Sequence, residues 1–294
     1  MSGNGVAGFG NRGSQRVAAT AAGDSDSRLE KTLIGVILGA FALFLLVWFV
    51  PPVSAAFATI AKPFSKFFDS RPVRTVLIIG SNRTIQHEIA DMLEDIGKSA
   101  NAPVRFSVTT KTGKDVAFKT HWESSGVQSA LKNKWDHVLL QGEINPRKSN
   151  ETRRDFVDYG AKLILAAKAS KSQPAMLVSP GYSDIFYTKY PASRRNDVRT
   201  KAVSDTQGIY RGLSASNEIG LVNVAHTSEL MRLRYPKILL YESEDSPSVA
   251  GSYMAALVMY KYMMQSYVRT VTFVPAGLDA ATAAAIREVV DMSS

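Results

Sequence analysis

Residues 75–80 read TVLIIG, a run without a charge that is β-branched at Thr75, Val76, Ile78 and Ile79 and closed by Gly80. A strand with one wet face alternates apolar and polar residues. A continuous run marks a strand buried on both faces. Such a strand needs cover on each side, and the following sequence supplies it. Ile85, Ile89, Met92, Leu93 and Ile96 keep helical spacing, with His87, Glu88, Asp91 and Glu94 on the other face. The pattern then repeats. Residues 104–109, 135–141 (WDHVLLQ), 175–179 (AMLVS) and 220–225 (GLVNVA) read as strands, and 126–134, 156–169, 198–213, 249–267 and 280–292 as helices. This alternation predicts an α/β domain over residues 75–294, three-layer α/β/α with a mostly parallel five-stranded sheet.

Upstream, the chain changes character. Residues 33–50 (LIGVILGAFALFLLVWFV) carry no charge. At about 1.5 Å per residue they span roughly 27 Å, the depth of a bilayer core. Trp48 and Phe49 sit where aromatic rings favour the interface. Pro51 and Pro52 then end the helix, because proline lacks the amide donor. We expect one transmembrane helix, giving a disordered tail (1–31), an anchor with its apolar flank (32–61) and a juxtamembrane linker (62–74). A cleaved signal peptide is the rival, with small residues at Ser54, Ala55 and Ala56. The long polar leader and the length of the run favour retention. Arg12, Arg16, Arg28 and Lys31 precede the run and Lys62, Lys66, Arg71 and Arg74 follow it, so flanking charge barely marks an orientation.

Composition narrows the chemistry. The chain has 294 residues, no cysteine, four histidines and a net charge of +9. Disulfides and thiolate metal sites are excluded, and no two histidines have zinc-helix spacing, so neither metal nor cofactor is expected. The charge suits anionic lipid or an acidic glycan. No basic run interleaved with aromatics suggests nucleic acid.

In parallel sheets, ligands bind beyond the carboxyl ends of the strands. The informative residues are therefore residues 80–84, 141–145, 180–184 and 226–228, with the turn at 243–248. There Ile79-Gly80-Ser81-Asn82-Arg83-Thr84, Trp135-Asp136-His137-Val138-Leu139-Leu140-Gln141 and Pro247-Ser248-Val249-Ala250-Gly251-Ser252-Tyr253 together resemble blocks of the SGNH (GDSL-like) hydrolases. The last looks like the segment after the catalytic histidine in one branch of that superfamily. The resemblance spans about residues 74–290.

It implies a three-layer fold and ester hydrolysis, including acetyl groups on carbohydrate, by a serine nucleophile and a histidine from a late Asp-x-x-His turn. Here the serine position holds Asn82, the histidine position Ser246 and the aspartate position Ser243. An amide is no alkoxide nucleophile, and a hydroxyl cannot replace imidazole as base near neutral pH. Ser81 and His226 remain as a rearranged nucleophile and base. Candidate binding residues are Arg83, Gln141, Glu143, Asp184, Tyr187, Arg194 and Asp245. The aromatics and arginines of residues 186–195 suit sugar rings and acidic groups.

Three expectations follow. The first is a single-pass protein of the inner or plasma membrane whose extracytoplasmic domain has lost its triad and binds an envelope glycan, or a protein partner in an envelope or polysaccharide machine. The second is an active esterase or acyl hydrolase with rearranged groups. The third is a structural subunit of a membrane complex.

Overall fold

The computed structural model describes residues 69–81, 86–113, 116–143, 145–146 and 148–293. The chain divides into residues 1–70 and 71–294. The expected tail, the apolar helix at 33–50 with its flank, and most of the linker lie outside the described residues, as do Asn82 and Arg83. Among the described residues, no helix is long and apolar enough to cross a membrane.

Five strands form one sheet: β1 (Val73–Ser81), β2 (Arg105–Gly113), β3 (His137–Leu140), β4 (Pro174–Val178) and β5 (Gly220–Asn223). Their order is β2-β1-β3-β4-β5, and every pairing is parallel. The helices are α1 (Ile89–Ser99), α2 (Phe118–Glu123), α3 (Ser125–Leu131), α4 (Asn150–Ala169), α5 (Asp184–Tyr187), α6 (Ala192–Ser216), α7 (Val224–Arg234), α8 (Val249–Met264) and α9 (Ala280–Met292).

Strand alternation sorts the core into two halves. Val76, Ile78, Leu139, Leu177 and Val222 face α1, α7, α8 and α9. Leu77, Ile79, Val138, Leu140, Met176 and Val178 face α2, α3, α4 and α6. The expected three layers are therefore present, with a sheet that is wholly rather than mostly parallel.

Side-chain caps explain where some helices begin. Helix α4 starts before the apolar spacing does, because the Ser149 hydroxyl accepts the Thr152 N–H at 3.0 Å. Helix α7 begins inside the stretch read as strand, because the Asn223 side chain accepts the His226 N–H at 3.1 Å. His226 is thus a helical residue, not the loop residue its position after a strand suggested.

Two local devices fix the segment before α8, and a third bond ties α8 to the chain that follows it. The Ser248 hydroxyl caps α8 by accepting the Gly251 N–H and donates to the Leu239 carbonyl. The Tyr253 hydroxyl donates to the Phe273 carbonyl at 2.8 Å. Gly251 lies so close to the incoming chain that a Cβ there would stand 2.2 Å from the Leu240 carbonyl oxygen. The motif that resembled a catalytic neighbourhood thus has a structural purpose of its own. It clamps the turn at 242–248 over the carboxyl end of the sheet.

This contact predicts opposite outcomes for one substitution at two sites. Gly251→Ala should cost about 1–3 kcal/mol through overpacking against backbone. Gly212 in α6 has nothing within 4 Å of a would-be Cβ, so Gly212→Ala should stabilise by up to about 1 kcal/mol. Thermal unfolding should show Tm falling for the first and holding or rising for the second.

Candidate functional site

The connection leaving β1 runs to β2 on one side, whereas the connection leaving β3 runs to β4 on the other. That reversal opens a crevice beyond β1 and β3, where ligands of such sheets sit. Here a side chain fills it. The Gln141 N–H donates to the Ile79 carbonyl, and its Oε1 accepts the Ser81 N–H at 2.8 Å and the Ser81 hydroxyl at 3.1 Å. Gln141 Nε2 donates to the Gly142 carbonyl. Gln141 is 1% exposed and Ser81 3%. The serine hydroxyl therefore spends its proton on an amide oxygen.

Two groups flank this pair. His121 is buried, with Nε2 3.0 Å from the Gly80 carbonyl. Burial lowers its pKa, partly offset by that carbonyl, so a neutral imidazole donating there fits the site. Beyond β3, the Gly142 N–H donates to the buried Tyr210 hydroxyl at 2.9 Å. Glu143 follows, and its Oε2 is buried without a hydrogen-bond partner. Burial raises the Glu143 pKa, and the nearby Asp155 adds to the effect against a partial offset from its own backbone N–H.

The turn at 242–248 closes the crevice from above. Tyr241 and Pro247 form an antiparallel bridge, and the Ser246 N–H donates to the Ser243 hydroxyl at 3.3 Å. The Ser183 N–H reaches across from the β4 end to the Glu244 carbonyl at 2.8 Å. The Tyr241 hydroxyl donates to the carbonyl of Gly181, whose φ of +86° suits glycine. Beneath the turn is a cavity of about 40 Å³ lined by Gln141, Tyr241, Asp245, Pro247 and Ser252 among others. Ser252 is 2% exposed, and its hydroxyl has no partner. A space of this size holds a few waters or a group no larger than an acetyl.

His87 also reaches this turn. Its Nε2 lies 3.0 Å from Glu242 Oε1 and 3.1 Å from the Pro247 carbonyl. His87 and Glu88 both have left-handed backbone, with φ of 56° and 54°. That costs energy for non-glycine residues and often accompanies a functional constraint. Helical spacing had assigned His87 to a solvated face. The helix begins only at Ile89, so the side chain is turned toward the crevice instead.

Beside the cavity, a second pocket of about 130 Å³ is lined by Tyr182, Phe186, Tyr187, Tyr190 and the flank of α6. Tyr182 stacks on Phe186 with centroids 3.9 Å apart, and Lys189 Nζ lies 3.3 Å above the Phe186 ring. Tyr187 is buried, and the Arg199 guanidinium lies 5.7 Å from its ring centroid. Arg199 is itself 5% exposed and pairs with Asp184 and with Glu229 at 2.8 Å. Burial works against its charge, but Glu229 and Asp184 outweigh that and hold its pKa above the ordinary value. This pairing ties α5, α6 and α7 together behind the aromatic pocket.

The sequence candidates therefore separate into groups. Gln141, Glu143 and Asp245 gather at the crevice and its cavity. Tyr187 lies in the aromatic wall. Asp184 serves Arg199. Arg194 is exposed in the first turn of α6. Ser243 and Ser246 shape the turn. Ser81 and His226 do not meet, because three strand intervals separate β1 from β5, about 14 Å of sheet. His87 and Ser252 are the site residues the sequence did not single out. A solvated-looking helical position hid the first, and an unremarkable core helix hid the second.

No family model matches this chain, and no curated protein matches it. Among solved structures, a DUF4886 family protein from Bacteroides uniformis superposes with a TM-score of 0.60 at 12% identity, covering 75% of this chain and 94% of that one. What the two share is the fold. A Slackia heliotrinireducens protein named for the SGNH hydrolases gives 0.49 at 23% identity, over 65% of this chain and 99% of that one. An acetylxylan esterase from Geobacillus stearothermophilus gives 0.45 at 15%, over 69% and 96%. SGNH- and GDSL-like hydrolases are thus structural neighbours at low identity.

Glu143 supplies a pH test. Its folded pKa is raised above the ordinary 4.5. Its contribution to stability is therefore full below pH 4.5 and lost as pH rises through the folded pKa. Glu143→Gln should gain on the parent in Tm as pH rises from that value to neutrality. A difference independent of pH would mean that the carboxyl is solvated in the folded state.

Proposed function

We propose that this protein is a membrane-anchored, SGNH-like domain that binds a sugar of an envelope glycan rather than hydrolysing it. The observation that carries the reading is the Ser81–Gln141 pair. The serine nearest the expected nucleophile position is buried, and its proton is given to an amide oxygen. Asn82, Ser243 and Ser246 stand where the resemblance calls for Ser, Asp and His. The remaining rearranged base, His226, lies on the far side of the sheet from Ser81.

The neighbouring aromatic pocket supports a ligand of definite size. A cavity of about 150 Å³ holds benzene, so at about 130 Å³ this one takes a substituent or one edge of a sugar, with the rest of the ring lying outside against the aromatic wall. Aromatic walls with Lys189 and Arg194 nearby suit a single sugar ring bearing an acidic or acylated substituent. The apolar run at 33–50 would keep such a site at the membrane surface, where a glycan or its export partner is concentrated.

A second reading is favoured by His87. An imidazole held on one nitrogen by Glu242 leaves its other nitrogen to take a proton, the arrangement of a general base. In that reading the protein is an active esterase whose histidine comes from the turn before α1 rather than from the late turn.

One set of measurements decides between them. The detergent-solubilised full chain should show no turnover of aryl esters or acetylated sugars. It should bind acidic, O-acetylated oligosaccharides in calorimetry, with Tyr190→Ala and Arg194→Ala each weakening binding by about three- to tenfold. Turnover that disappears in His87→Ala would overturn the binding reading and establish the second.

A further inference from the structure

The opposite end of the sheet carries a different surface. Every strand starts there, and α1, α3, α4, α6, α8 and α9 all end there. Lys98, Lys132, Lys134, Lys168, Lys171 and Arg269 are exposed at this end. Cations at helix C-termini complement the helix dipole, which accounts for Lys98 and Lys168. It does not account for Lys134, Lys171 and Arg269, which lie in the connections beyond the helices.

The acids at the same end are mostly engaged. Asp136 accepts the Thr75 N–H and hydroxyl, and Asp291 accepts the N–H groups of Val268 and Arg269. Glu288, one turn up α9, is tied to Arg234 and Tyr235. Among the described residues, Glu218 is the exposed acid between the helix ends and the strand starts.

Apolar side chains interrupt this basic surface. Tyr267 is 58% exposed, Met292 55% and Val73 41%. The Arg269 guanidinium lies 4.7 Å from the Tyr267 ring centroid. Contacts join these parts into one face. Arg74 donates to the Met263 carbonyl at the end of α8, and Lys261 donates to the Val290 carbonyl at the end of α9. The segment leading into β1 lies at this face, where Arg71 donates to the Ala102 carbonyl.

We propose that this strand-start end is a lipid-binding face that rests on the anionic headgroups of the membrane holding the chain. The inference rests on the anchor reading above. Its occupant is argued from the surface itself. Lysines and arginine attract anionic headgroups, a half-exposed tyrosine and methionine suit the interfacial region, and the covalent link upstream begins on the same face. The nine residues of β1 then hold the crevice at Ser81 about 30 Å from the lipid, turned away from it.

The chain lacks cysteine, so single labels are clean. Asn133→Cys reports the strand-start end, and Ser243→Cys reports the turn over the crevice. Full chain carrying either dye is reconstituted in vesicles with a headgroup-labelled acceptor, in phosphatidylcholine alone or with phosphatidylglycerol. Energy transfer should be several-fold stronger from position 133 than from 243. Phosphatidylglycerol should raise it at 133. Combined Lys98→Glu, Lys168→Glu and Lys171→Glu should remove that increase, and the corresponding glutamines, with Tm checked, should remove part of it.

Equal transfer from the two positions, or no response to phosphatidylglycerol in an anchored chain, overturns the proposal and leaves the anchor standing. Release of the chain by alkaline carbonate overturns the anchor instead. Flotation with phosphatidylglycerol vesicles, lost in the glutamate variant, then still reads the face. Failure to float would end the proposal as well.

Discussion

Strand β1 is bonded on both edges and buried on both faces, and the rest of the domain follows from that constraint. Val76, Leu77, Ile78 and Ile79 are each 0% exposed. Val76 and Ile78 point into one core, Leu77 and Ile79 into the other. Exposing any of them would forfeit about 1.5–3 kcal/mol per side chain, so neither layer of helices is optional. Because β1 also sits where the strand order reverses, its last residue is delivered into the position where such folds bind ligands. Fold and site share one cause.

The position so prepared is not left open. Gln141 occupies it and satisfies Ser81 on both N–H and hydroxyl. A buried amide with these bonds intact is stable, and removing it would strand two donors at about 1–3 kcal/mol each. The crevice is therefore built like a core around a small remaining cavity, with Ser252 contributing a hydroxyl that lacks a protein partner. The larger pocket lies to the side, walled by aromatics and braced by Arg199 with its two carboxylates. The two spaces share residues 179–181 as a common wall.

The clamp before α8 places the turn over this site. Ser248 acts as cap and Gly251 as close approach, while Tyr253 tethers the chain after α8 at Phe273. The same turn carries Glu242, which holds His87. The late motif thus serves the architecture of this turn. At the strand-start end the surface is instead basic and partly apolar.

Much of this was legible in the sequence. The unbroken run at 75–80 determined a doubly buried strand, and the alternating periods after it determined the layers and the strand count. Asn82, Ser243 and Ser246 were legible as departures from the triad that the resemblance implies. The aromatic stretch from Phe186 to Tyr190 was visible as a candidate binding stretch, and it lines a pocket. Side-chain caps moved helix starts where no apolar spacing announced them, as Ser149 and Asn223 show. Pairings between distant segments were not legible at all. Ser81 with Gln141, His87 with Glu242 and Asp184 with Arg199 each join positions whose separation along the chain carries no periodic signal. Only the tertiary structure decided them, because burial chooses a polar group's partner among whatever the fold brings within hydrogen-bond reach.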